Sequence, residues 1–132
     1  MFREKKLFFV LINIIFFTYY SVQLLIFTDE FAIKNIGFFN HAVAGLSELL
    51  GIIFAALSIV LIIIFFKGLK NQFPIFLIIF IIQIFIAINF WRYVVTNSPG
   101  ESNIKSISLN AIIFSTISIF SLYNLIKNNK TL

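Results

Sequence analysis

AVAGLSELLGIIFAALSIVLIIIFF, residues 42–66, holds a single ionisable side chain, Glu48, and no proline. At 1.5 Å per residue a helix of that length reaches about 37 Å, more than the roughly 30 Å of a bilayer's hydrocarbon core. Three further apolar runs, near residues 7–27, 73–95 and 105–126, are also long enough to cross. They are continuous, lack strict alternation and far exceed the roughly ten residues of a barrel strand. The pattern predicts an all-α membrane protein, a four-transmembrane-helix bundle running up-down-up-down, as a single integral membrane domain over residues 1–132.

Composition agrees. Hydrophobic residues make up 61% of the chain and charged residues 11%, against roughly a quarter charged in soluble domains. The absence of cysteine excludes thiolate nucleophiles, disulfide exchange and cysteine-ligated metals. A net charge of +5 does not point to nucleic acid, because the basic residues flank the apolar spans, where they orient helices. The start MFREKKLFFVLINIIFF has the basic-then-apolar order of a signal peptide, but the run continues to Phe27 without a small-residue cleavage site, so it reads as a retained anchor.

The connections read TDEFAIKNIGFFN, KGLKNQ and TNSPGESNI, all taken as loops, with Pro74 suited to the first turn of the third helix. Arg3, Lys5, Lys6, Lys67, Lys70, Lys127 and Lys130 fall on the two ends and the middle loop, which share one side of a four-span protein. On the other side Lys34, Arg92 and Lys105 are balanced by Asp29, Glu30 and Glu101. The positive-inside bias therefore predicts that both termini face the cytoplasm. Trp91, Tyr93, Tyr19 and Tyr20 suit an interfacial aromatic belt or packing against neighbours.

Within the spans, Ser47, Gly51 and Ala55 recur every fourth residue, a small-residue ridge along which another helix can approach closely, from this chain or another copy. Glu48 follows Ser47, about 10 Å inside the outer end of its helix. A charge deep in hydrocarbon costs roughly 2.5 to 3.5 kcal/mol, so Glu48 is expected to meet a partner or water, or to be protonated. Arg92 is the leading partner, with Asn89 a turn deeper. His41 lies on nearly the same face as Glu48 at the aqueous boundary, and Gln23 and Asn110 fall at similar depth. Two readings follow: a pocket of Glu48, Arg92, His41, Asn89, Gln23 and Asn110 that binds a polar head group or relays a proton, or a satisfied structural ion pair that fixes helix register.

A lone histidine does not make a metal site, which needs several convergent ligands. Asn13 and Gln83 suit interhelical hydrogen bonds, and the fourth-span hydroxyls from Ser106 to Ser121 suit bonds to their own helix or a neighbour. No phosphate-binding loop, nucleophile elbow, HExxH motif or paired-carboxylate arrangement appears. The expectation is a non-enzyme without metal or cofactor.

At GLSELLGIIFAAL, residues 45–57, the chain resembles the second helix of DoxX-like four-helix membrane proteins, with Glu48 and Gly51 at the matching positions. Only Gly51 follows Glu48, in place of the Gly-Gly doublet common in that family, and a polar KGLKNQ loop separates the middle helices. From residue 42 to about 126 the chain also resembles uncharacterised four-span bacterial families, which share an arrangement like AINFWRYVVTNSPG. The resemblance implies a bundle in a bacterial cytoplasmic membrane, sometimes an accessory subunit of a respiratory or redox complex. The expected partners are membrane lipids and either another membrane protein or a second copy. The alternative is lipid or small polar solute binding or transport through the pocket of Glu48 and Arg92.

Overall fold

The computed structural model describes residues 2–128 and 132, with side chains from Leu7 onward. Among the described residues there are five α-helices and no strand: α1 (Phe2–Leu25), α2 (Thr28–Ile36), α3 (His41–Lys67), α4 (Phe73–Thr96) and α5 (Ile104–Asn128). All but α2 are long and apolar enough to cross a membrane. The side chains of Arg3, Lys5 and Lys6 and the whole of Lys130, used above for orientation, lie outside the described residues.

The chain folds as two compact units, one of α1, α2 and α3 with Gly100–Ser102, the other of α4 and α5. Each contains one antiparallel pair of long helices, the order expected for up-down-up-down connectivity. In the first, Leu24 and Leu25 meet Gly51, the rings of Phe17 and Phe54 stack edge to face at 5.3 Å, and Thr18 shares a 2.6 Å hydroxyl hydrogen bond with Ser58. Contact positions fall along α1 as they rise along α3, which defines the antiparallel register. In the second, the Ser121 hydroxyl donates to Gln83 Oε1 at 2.7 Å, Phe90 packs on Phe114 at 5.6 Å, and Trp91 Nε1 donates to Ser115 at 2.9 Å.

Polar side chains inside the spans are spent locally. Asn13, Thr116 and Asn124 each bond the carbonyl four residues back, and Ser118 bonds the one three back. Thr18 with Ser58 and Gln83 with Ser121 tie helix to helix within a pair. In hydrocarbon there is no water to take an unsatisfied group, and among the described residues no buried side-chain nitrogen or oxygen lacks a partner.

One connection departs from expectation. TDEFAIKNIGFFN is not a plain loop, because its first nine residues form α2. The helix carries Asp29 and Glu30 in its first turn and Lys34 in its last, the order the helix dipole favours, and Glu30 and Lys34 pair at 3.5 Å. Gly37 ends it in the left-handed conformation at φ 91°, its N–H bonding the carbonyls of Ala32 and Ile33. A Cβ at Gly37 would collide with the Glu101 carbonyl, so this glycine serves both the cap and the close seating of the 100–102 loop. Asn40 then accepts from the Val43 N–H at 2.9 Å and caps α3.

The close approach at Gly51 is exacting, since a Cβ there would lie 2.8 Å from Leu25 Cγ and 3.1 Å from Leu24 Cβ. Gly51→Leu is expected to destabilise the α1–α3 pair by about 1–3 kcal/mol, whereas Gly45→Leu, with nothing within 4 Å of its added Cβ, changes stability by less than about 0.5 kcal/mol. Unfolding titrations in mixed micelles measure both. In the other pair, Ser121→Ala removes the bond to Gln83 and is expected to cost about 0.6 to 1.7 kcal/mol by the same assay.

Candidate functional site

Successive helix residues turn by roughly 100°, so Ser47 and Glu48 cannot face the same way. Ser47 and Gly51 are buried on the side of α3 that meets the rest of its unit, Ala55 is half-buried, and Glu48 is exposed. The small-residue ridge is thereby occupied within the chain at Gly51, where Leu24 and Leu25 of α1 fill the groove it leaves.

His41 and Glu48, seven residues apart and both exposed, do share a face of α3. With Ala42, Gly45, Leu46, Leu49 and Ile52 they line a shallow, open depression on the side of the helix turned away from Ser47 and Gly51. Its lining combines the small Ala42 and Gly45, three branched aliphatic residues, and the two polar residues His41 and Glu48. Among the described residues of its own unit, Glu48 makes no hydrogen bond or ion pair.

The register with α1 revises the depth of Glu48. Counted from the end of α3 it lies about 10 Å inside, but α1 reaches only to the level of Gly51, where Leu24 and Leu25 sit. Glu48 is three residues, about 4.5 Å, beyond that level. It stands beside the junction at residues 26–28, where the apolar run of α1 gives way to Thr28, Asp29 and Glu30. The apolar part of α1, Leu7–Leu25, is 19 residues long, about 28 Å, close to a full hydrocarbon thickness. Glu48 thus lies in the first two turns of α3, which continue past the end of α1 on the side where α2 packs.

The remaining residues of the expected cluster are distributed over both units. Gln23 is half-buried in the last turn of α1. Asn89 and Arg92 are exposed on α4, and the Arg92 guanidinium lies over the Tyr93 ring at 5.0 Å, a cation–π contact. Asn110 is buried in α5 and engaged. Trp91, Arg92 and Tyr93 lie about 28 Å along α4 from Phe73, where an interfacial aromatic cluster is expected. What the structure brings together from the cluster is His41 with Glu48. Among the described residues no group of three or more metal-ligating side chains converges. Comparison with protein-family models, with curated proteins and with solved structures found no match.

An exposed carboxylate without a partner in its own unit is expected to be dispensable for folding. Glu48→Gln should leave unfolding free energy within about 0.5 kcal/mol of the parent. A loss of about 3–5 kcal/mol, the cost of breaking a buried ion pair, would show instead that Glu48 is paired in the membrane.

Proposed function

We propose that this small multi-pass membrane protein is a non-enzymatic accessory or interaction subunit, seated in a bacterial cytoplasmic membrane with both termini in the cytoplasm, and that a helix of another membrane protein docks in the depression on α3. The four spanning-length helices support the membrane setting. The excess of Lys67, Lys70 and Lys127 at one set of helix ends supports the orientation. The likeness of residues 45–57 to a DoxX-like helix belongs to the same reading.

The observation that carries it is the contrast between the two sides of α3. One side is consumed within the chain at Ser47, Gly51, Phe54, Ser58 and Leu61. Yet only 28% of the most apolar window of α3 is buried, and 22% of that of α4. Helices associate in lipid through close van der Waals packing and a few polar contacts, not through a hydrophobic drive. Ala42 and Gly45 permit that close approach, and Glu48 and His41 offer hydrogen-bond specificity where the depression meets the head groups.

A second reading, binding or transport of a lipid head group or small polar solute through Glu48 and Arg92, is favoured by one feature. Glu48 is exposed, with no partner among the described residues of its own unit. It predicts that Glu48→Gln and Arg92→Gln abolish ligand binding while insertion stays normal.

The test of the first reading uses a photo-crosslinking amino acid at Leu49, in the depression, and at Leu109, exposed on α5. In native membranes the Leu49 probe is expected to yield a discrete protein adduct that the Leu109 probe does not, weakened when Gly45→Leu fills the floor. Lipid adducts alone at both positions would overturn it.

A further inference from the structure

We infer that α2 is an interfacial helix that rests one flank on the acyl-chain and head-group boundary of the bilayer while its other flank faces water. The inference rests on the membrane-spanning character of α1 and α3 and not on the accessory role proposed above.

Three observations carry it. The first is tethering. Only Ile26 and Phe27 separate α1 from α2, and only residues 37–40 separate α2 from α3. Because α1 already spans about 28 Å of hydrocarbon before α2 begins, α2 is held at the membrane surface from both ends.

The second is a fixed roll. Thr28, Ala32 and Asn35 form the buried stripe of α2, which touches both α1 and α3. The Thr28 hydroxyl donates to the Leu24 carbonyl at 2.6 Å, clamping the first turn to the end of α1. The two exposed flanks cannot exchange places without breaking this seat.

The third is that those flanks differ in chemistry. At roughly 100° per residue, Ile33 and Ile36 fall to one side of the buried stripe and Glu30 and Lys34 to the other, where Phe31 is half-buried against Tyr20 and leaves the charged pair as the exposed part of that flank. Glu30 and Lys34 pair with each other at 3.5 Å, both side chains largely in the open. Ile33 is 55% exposed, and the loop beyond Gly37 adds Phe38, also 55% exposed, and Phe39. Asp29 shares the apolar flank at the first turn, where a carboxylate suits the positive end of the helix dipole. Exposed isoleucine and phenylalanine beside a water-facing ion pair, on a segment that cannot leave the bilayer surface, match the boundary between acyl chains and head groups, where amphipathic helices settle.

The absence of cysteine from the chain makes the test direct. Single-cysteine variants of the full chain, Ile33→Cys, Phe38→Cys, Glu30→Cys and Lys34→Cys, are labelled with bimane in phosphatidylcholine vesicles, with Ile62→Cys in α3 as the span control. All five replace exposed side chains, and circular dichroism checks each fold. Quenching by phosphatidylcholine brominated near the top of its acyl chains is expected to be roughly threefold stronger at positions 33 and 38 than at 30 and 34, with aqueous iodide giving the reverse order. Iodide quenching at 33 and 38 equal to that at 30 and 34 would overturn the inference, since the flank would then face water. Protection of 33 and 38 from both quenchers would also overturn it, since protein would then cover the flank. If iodide reaches position 62 as readily as positions 30 and 34, the membrane span fails and the inference with it.

Discussion

The missing side chain at Gly51 sets the geometry of the first helix pair. Because α3 presents no Cβ there, Leu24 and Leu25 of α1 close directly onto it. The Phe17–Phe54 edge contact and the Thr18–Ser58 hydroxyl bond then fall into step one and two turns further on along α3. A longer residue would push the helices apart, and hydroxyls 2.6 Å apart would lose their tie across the pair. Two neighbouring helices without a polar tie can slide by a turn at little cost in lipid, whereas a groove filled by two leucines together with a short hydroxyl bond admits one register.

That register decides what the polar end of α3 means. Fixing Leu25 opposite Gly51 stops α1 short of the first two turns of α3, and the chain leaves α1 at the level where Glu48 stands. An ionised carboxylate at a helix centre would cost roughly 2.5 to 3.5 kcal/mol on insertion scales, and the cost falls away toward the head groups. Beside the end of α1 rather than at a helix centre, Glu48 carries less of that cost.

The four spans were readable because length and unbroken apolarity are dictated by the bilayer itself. Their boundaries moved by a few residues, from 42–66 to His41–Lys67 and from 105–126 to Ile104–Asn128, since polar first and last turns extend a helix past the hydrocarbon. Helix α2 was missed although its signals were present: Asp29 and Glu30, then Lys34, then Gly37. With nine residues it has no apolar run to announce it, and its stability comes from docking Thr28, Ala32 and Asn35 on its neighbours. Among the candidate residues, spacing alone was enough to put His41 and Glu48 on one face, because both belong to one helix. The division of Ser47 and Gly51 inward from Glu48 outward follows from adjacency on a helix, but which side meets α1 is a tertiary fact. The depth of Glu48 reads differently from the end of its own helix and from the end of α1, because α1 stops short of the first turns of α3.

The two pairs solve the same problem with different chemistry. Between α1 and α3 the polar tie joins two hydroxyls, Thr18 and Ser58, beside a glycine contact. Between α4 and α5 a larger amide, Gln83, accepts from Ser121, with both residues fully buried. An amide left unmatched in lipid costs more than a hydroxyl that can fall back on its own helix's carbonyl, as Thr116 and Ser118 do. Gln83 has no such intrahelical refuge at its Oε1, so the α4–α5 pair is bound to its register by the penalty for leaving it. In each pair the polar tie, Thr18 with Ser58 or Gln83 with Ser121, serves internal alignment.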